Sequence, residues 1–461
     1  MTQGAATQDD LFVLRRGDDE FYLYAPLRRC VALVNGAAVN VVSRYLEAGP
    51  EALDECQTAV IQSLRVGGVL GEPTPSAPVF PADYDFCPHE VTLFLTSRCN
   101  LHCRYCYAEA GRKAVEMPWE TARAAVDLVV MNAGLLGAGK FIVGFHGGGE
   151  PTMAWDLLVR VVDYACEKAD QSGLDLELFA ATNGILSPPQ REFIVKHFHS
   201  VNISLDGPDD IQDHQRPKVG GGGSYQQVRE TLQHFDQCGF RYGIRATITA
   251  ATVGRLEEIV EHLRTEFHFS YLHLEPAWFC GRCLTSGEQA PSDEQFIEHF
   301  LRASKRGREL NVQINYSGAR LGTLTCKFCA APGDGFSVLP EGWVTSCYEI
   351  TEPDDPRAEI FHYGRYDAST GTFRFDLERL RRLQQFSVEH LPFCRDCFCK
   401  WHCAGDCLAK VFERSKSTRH EGSIRCDLNR ALTLASLDEL VTAVSSCEPT
   451  PGGPNDARRT Q

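Results

Sequence analysis

Cys99, Cys103 and Cys106 lie in one short run, TSRCNLHCRYCY over residues 96–107. Thiolates spaced by three and then two residues can hold three corners of a 4Fe–4S cube, which needs soft sulfur ligands. No fourth ligand stands nearby, so one iron would stay open to bind a substrate or cofactor. Zinc, which also takes closely spaced cysteines, and buried free thiols are the alternatives at this point.

Further polar residues follow at intervals. The run HGGGEP over residues 146–151 offers Gly148 and Gly149, which let backbone approach a ligand closely, and Glu150, which can accept from an ammonium. Asn183, Ser204 with Asp206, Arg245, and Glu275 stand at or near the ends of successive apolar segments. Past residue 313 the cysteines become dense: Cys326, Cys329, Cys347, then Cys394, Cys397, Cys403 and Cys407 with spacers of two, five and three, and later Cys426. A loop-rich segment of this kind needs metal to fold, either iron–sulfur clusters or zinc ribbons. Cys280, Cys283 and Cys399 are additional thiols without an assigned role.

Positioning such groups calls for a scaffold. Strands are expected at 91–96, 141–145, 176–180, 201–205, 242–249 and 271–274, with helices near 119–133, 155–170, 188–198, 225–238 and 253–266. Six β/α units imply a parallel sheet curved into a partial barrel. Chemistry in such barrels sits at the C-terminal strand ends, where the residues above fall. Ahead of it, strands at 12–14 and 21–24 and helices at 39–46 and 53–64 suggest a small winged-helix-like unit, followed by a proline-rich linker over 73–88. The expected organisation is 1–86 for that module and linker, 87–312 for the barrel, 313–430 for the Cys-rich domain, and 431–461 for a helix at 432–444 and a polar, disordered tail.

Bulk composition narrows the function. The 461 residues are 43% apolar and carry a formal charge of −15, which argues against nucleic-acid or anionic-membrane binding. Twenty cysteines with neither a signal-peptide pattern nor a membrane-length apolar run suit a metal-loaded cytoplasmic protein.

Taken together, these features resemble the radical S-adenosylmethionine (SAM) enzymes that carry a SPASM auxiliary-cluster domain, over residues 88–430. Tyr105 stands before the last cysteine as that family prefers, the HGGGEP run matches its SAM amino-group motif, and Ser204 and Asp206 match a position near the ribose. The resemblance implies a SAM-binding cluster on Cys99, Cys103 and Cys106. It further implies an outer auxiliary cluster on Cys394, Cys397, Cys403 and Cys426, and an inner one on Cys329, Cys347 and Cys407. Cys326 is expected as the fourth inner ligand; an open site for a substrate thiolate is the alternative. SAM cleavage would yield a 5′-deoxyadenosyl radical that abstracts hydrogen from a substrate carbon. The resemblance further implies a ribosomally made precursor peptide as partner, with its leader bound by the N-terminal module at a strand edge near residues 21–24, and a flavodoxin- or ferredoxin-like electron donor. A thioether or carbon–carbon crosslink is the expected product. Sulfatase-type maturation is the alternative, weakened because Tyr348 and then Glu349 follow Cys347 where those enzymes carry an aspartate. A non-catalytic iron–sulfur or zinc scaffold is a further alternative, which the SAM-pocket residues oppose.

Overall fold

The structure is a computed structural model and describes residues 10–71, 76–80, 85–415 and 421–446. Its first unit is an antiparallel sheet of β1 (Phe12–Arg15), β2 (Phe21–Ala25) and β3 (Cys30–Val34), followed by α1 (Gly36–Ala48) and α2 (Glu55–Val66). Asn35 opens α1 by accepting from the Ala38 amide, and Asp54 with Gln57 forms a capping box on α2. The alternation along the strands sends Leu11, Leu23 and Ala25 toward these helices. Phe12, Leu14, Tyr22 and Tyr24 face the other way, onto Leu437 of the C-terminal helix Cys426–Ser446.

That second face is tied down by polar contacts as well. Arg16 Nε donates to Asp438 at 2.7 Å, and Tyr22 donates to the same carboxylate. His402 donates from Nδ1 to the Thr323 carbonyl, so its Nε2 accepts from the Tyr24 hydroxyl. Trp401 Nε1 and Lys400 both reach Asp10. The N-terminal sheet is therefore clamped between its own helices and the Cys-rich segment.

Two sequence expectations change here. β3 was not expected, although Pro26 opens the turn before it; that turn ends at a left-handed Arg29 (φ 54°), a conformation more usual for glycine. Its pairing makes β2 the central strand, so residues 21–24 offer no open edge; β1 and β3 carry the sheet's outer edges.

From residue 90 the six expected parallel strands appear within a few residues of their expected bounds. They are β4 (Glu90–Leu93), β5 (Lys140–Phe145), β6 (Asp175–Thr182), β7 (Ser200–Ser204), β8 (Tyr242–Ile248) and β9 (Leu272–Pro276). The connecting helices are α3 (Trp119–Leu136), α4 (Trp155–Ser172), α5 (Pro188–His197), a short α6 (Asp209–Gln215), α7 (Tyr225–Gln237) and α8 (Leu256–Glu266). Their apolar faces and the strands form one core, with Val91, Val126, Phe141, Val161, Ile203, Leu232, Ile244 and Leu263 fully buried. Neither α6, which is short and polar, nor the helix Asp293–Glu309 was expected. The latter was legible: Ser292 caps it, and Phe296, Phe300, Ala303 and Gly307 recur on one buried face.

The sheet does not stop at six strands. β10 (Ile314–Asn315) adds in parallel beside β9. On the opposite side β11 (Ser337–Val338) adds in parallel beside β4, and β12 (Trp343–Thr345), β13 (His362–Asp367) and β14 (Thr372–Phe375) continue it antiparallel. Eleven strands thus run in one order, β10-β9-β8-β7-β6-β5-β4-β11-β12-β13-β14. The Cys-rich segment is hydrogen-bonded onto the barrel sheet itself. The helix expected at 432–444 occupies Cys426–Ser446; the tail beyond it, and parts of the proline-rich linker, lie outside the described residues. Among the described residues no helix is long and apolar enough to cross a membrane.

Candidate active site and cysteine groups

The loop after β4 carries Cys99, Cys103 and Cys106, and three neighbouring segments hold its backbone. On one side His102 N donates to Pro217 O at 2.8 Å, Arg104 N to Gln215 O at 2.9 Å, and Val219 N to Asn100 O at 3.0 Å. On the second, Glu150 N donates to Arg98 O at 2.8 Å. Gly149 lies so close that a Cβ would come within 2.2 Å of that carbonyl, which is why no side chain is tolerated there. On the third, Arg282 donates from its amide to Cys106 O at 2.9 Å and from Nη1 to Cys103 O at 2.7 Å. Gly281 (φ 51°) is packed against the Cys106 and Tyr107 carbonyls in a left-handed conformation that suits glycine.

The three thiols line a cavity of about 270 Å³. Opposite and around them stand His146, the glycine run, Glu150, Asn183, Ser204 and Arg245, all from strand ends. Tyr105 is also at this wall and donates to Asp206. Asp206 itself is withdrawn behind the wall. Its carboxylate accepts from Gln215 Nε2 at 2.7 Å, from Arg216 Nε at 3.0 Å and Nη2 at 3.1 Å, and from Thr247 N at 2.9 Å. It braces Tyr105 and Arg216, and Arg216 rather than Asp206 lines the cavity.

Glu150 is buried, with Thr182 Oγ1, Thr152 Oγ1 and the Asn183 amide donating at 2.7, 2.9 and 2.7 Å. Burial nevertheless holds its pKa above the ordinary carboxylate value. Burial also pushes the Cys99 thiol up to about 12, with the Glu150 charge adding to the rise, and Cys103 up to about 11. A cationic ligand among them would reverse that cost, because a metal-bound thiol is deprotonated outright. His146 is lowered to about 4 by burial and by Arg245. Its Nδ1 is buried without a hydrogen-bond partner among the described residues, and its ring lies 4.5 Å from that of Tyr348.

A second cysteine group closes on itself. Cys394, Cys397, Cys403 and Cys426 line one small enclosure with Asn429 and Arg430. Asn429 Nδ2 donates to Cys403 Sγ at 3.2 Å, and the Ser423 amide to Cys426 Sγ at 3.2 Å. The Cys399 thiol and Arg430 lower Cys397 to about 6. Cys399 is fully buried beside this group. Among the described residues no three Cys, His, Asp or Glu side chains converge on the position of a single ion; the thiols ring cavities instead.

Cys347 feels the charges of Cys329 and Cys407, and Cys407 that of Cys329, which marks a third group. Cys326 is buried in an apolar cluster with Val388, Leu391, Cys394, Trp401 and Ala404, and its carbonyl accepts from Val388 N at 2.8 Å. Cys280 lines the main cavity, whereas Cys283 is buried away from it.

Residues 93–265 match the family model described as the radical SAM superfamily. That stretch is a radical SAM domain. The chain is an enzyme, with the (β/α) radical SAM fold and a Cys-rich C-terminal segment. It is 22% identical over 324 residues to a serine-type anaerobic sulfatase-maturating enzyme from Klebsiella aerogenes, covering 68% of this chain and 78% of the relative. The solved structure of anSMEcpe with bound AdoMet superposes with a TM-score of 0.63 at 17% identity, covering 78% of this chain and 96% of that one. SuiB from Streptococcus suis bound to its precursor peptide SuiA gives 0.53 at 13% identity, covering 92% and 99%.

The residues of this radical SAM domain suit the family's cofactors. Three thiols and a cavity with polar strand-end groups fit a site-differentiated 4Fe–4S cluster and SAM. Sequence reasoning missed Arg216, Lys410 and Tyr107 at the cavity. Arg216 lies just beyond the unexpected α6, and Lys410 comes from a remote helix, so neither carried a local signal.

Proposed function

We propose that this radical SAM enzyme matures a ribosomally made precursor peptide, forming a thioether or carbon–carbon crosslink. The observation that carries this reading is the position of the three-thiol cavity between the barrel and the Cys-rich segment. Lys410 and Glu349 of the latter help line it, so the Cys-rich segment reaches the space a substrate carbon would enter. When bound, the clusters and SAM would supply a 5′-deoxyadenosyl radical able to take hydrogen from an unactivated carbon.

Cys99, Cys103 and Cys106 would hold the SAM-binding cluster. The glycine run, Glu150, Asn183, Ser204 and Arg245 would orient SAM, with Tyr105 held in place by Asp206. Cys394, Cys397, Cys403 and Cys426 would hold an outer auxiliary cluster, and Cys329, Cys347 and Cys407 an inner one. Cys326 packs in an apolar cluster with Val388 and Leu391; an inner set of three protein thiols would favour thioether chemistry over the carbon–carbon alternative. A flavodoxin- or ferredoxin-like protein would deliver electrons. The leader would bind the N-terminal sheet along an outer strand, β1 or β3, by strand addition. The SuiB match, which spans 92% of this chain, supports a peptide substrate.

Sulfatase-type maturation is the second reading, favoured by the Klebsiella relative. Co-expression with a neighbouring precursor peptide separates the two. Loss of a pair of hydrogens together with one alkylatable cysteine is the expected mass change. A product trapped by a carbonyl reagent would instead support the second reading, and an unmodified peptide would count against the first.

A further inference from the structure

Four buried side-chain polar atoms among the described residues have no hydrogen-bond partner: His146 Nδ1, Arg320 Nη2, Asp334 Oδ1 and Ser346 Oγ. His146 lines the main cavity, and Asp334 is already paired with Lys327 through its other oxygen. Arg320 and Ser346 stand instead beside cysteines. Arg320 donates from Nε to His402 O at 3.1 Å and from Nη1 to Phe328 O at 2.9 Å. Those two carbonyls immediately precede Cys403 and Cys329. Covalent geometry then puts each cysteine Cα within about 6 Å of the guanidinium nitrogen that holds its loop. Ser346 immediately precedes Cys347.

The loops concerned meet. Gly335 packs so closely between two of them that a Cβ would lie 3.1 Å from both Ala330 O, one residue past Cys329, and Ser346 O, one residue before Cys347. Gly335 N donates to the same Ala330 carbonyl at 2.9 Å. Asp406, immediately before Cys407, accepts from Arg425 Nε at 3.1 Å, and that guanidinium lies 5.8 Å from the Phe328 ring. A buried N–H or O–H without an acceptor is costly. With Nε and Nη1 both held, the planar guanidinium fixes where Nη2 points, so it cannot turn to another acceptor. The described residues supply none to either donor, and the sulfurs of an iron–sulfur cluster are acceptors of the right kind.

We propose that Arg320 Nη2 and Ser346 Oγ donate hydrogen bonds to sulfurs of the inner auxiliary cluster and raise its reduction potential. This rests on the inner cluster proposed above. The reduced cluster carries the extra negative charge, so the two donors stabilise it more than the oxidised one.

The test uses the full chain with Cys99, Cys103 and Cys106 changed to Ala, reconstituted anaerobically, so that only auxiliary clusters remain. The electron paramagnetic resonance signal altered by Cys347→Ser identifies the inner cluster. Poised at the parent's inner midpoint potential, Ser346→Ala should lower the reduced-to-oxidised ratio about fivefold, the worth of one hydrogen bond. Ser346→Thr keeps the hydroxyl and should hold the parent ratio. Arg320→Lys keeps the charge but not the planar fork, and should lower the ratio as well. With about eight irons retained, an unchanged ratio in Ser346→Ala or in Arg320→Lys overturns the donor role of that residue alone. Iron loss from either variant, without a shift in the ratio of what remains, makes the residue structural and overturns its role too. About four irons with bound zinc overturns the inner cluster and this proposal together.

Discussion

Cys99, Cys103 and Cys106 look into about 270 Å³ of space, whereas Cys394, Cys397, Cys403 and Cys426 enclose about 20 Å³, little more than one water needs. The same side chain builds both sites, and the difference lies in what surrounds it. At the barrel the walls are strand ends bearing Asn183, Ser204 and Arg245, and one corner lacks a thiol. At the outer site the fourth corner is filled, and Asn429, the Ser423 amide and Arg430 are turned onto the sulfurs. Hydrogen bonds to sulfur tune a cluster's potential but leave no place for a substrate. An open site with room suits bond-breaking, and a closed one suits holding structure and passing electrons.

The comparison is broken most completely at the open site. Changing Cys99, Cys103 and Cys106 together to Ala should reduce 5′-deoxyadenosine formation to background while the auxiliary iron remains. Chromatographic product assay with iron analysis checks this; residual SAM cleavage would move the radical chemistry elsewhere.

A smaller but still large effect is expected at the joint between the two sites. Arg425, beside Cys426, pairs with Asp406, beside Cys407, and with Glu275 at the cavity; all three are buried. Arg425→Met would leave the buried Asp406 without its ion pair, at a cost of about 3–5 kcal/mol. Urea unfolding of the loaded protein, followed by circular dichroism and cluster absorbance, should show a correspondingly lower midpoint. A change under about 1 kcal/mol would mean that the joint is not a stabilising element.

The smallest expected effect sharpens the closed site. Asn429→Ala removes the 3.2 Å donor to Cys403 Sγ, worth about 1 kcal/mol. Losing a donor to sulfur destabilises the more negative, reduced cluster, so the outer potential should fall. Redox titration monitored by electron paramagnetic resonance measures the shift; an unchanged potential would show that this bond does not tune the cluster.

Local pattern determined much of this protein. Continuous apolar runs and amphipathic stretches placed six parallel strands and their main helices, because burial on both faces of a strand and one face of a helix is written at periods that neighbours in sequence share. Cysteine spacing placed the open three-thiol loop for the same reason: its donors lie within eight residues of one another. Only the tertiary structure decided the rest. β3 is a strand because β2 pairs with it, and that pairing took the open edge away from residues 21–24. Asp206 left the cavity because Arg216 and Gln215, brought back by α6, claim its oxygens. Cys326 packs with Val388 and Leu391, its carbonyl pinned by Ser387 and Val388, which its spacing to Cys329 does not announce. Spacing limits how far apart two thiols can be, but contacts with distant segments decide which way each one points.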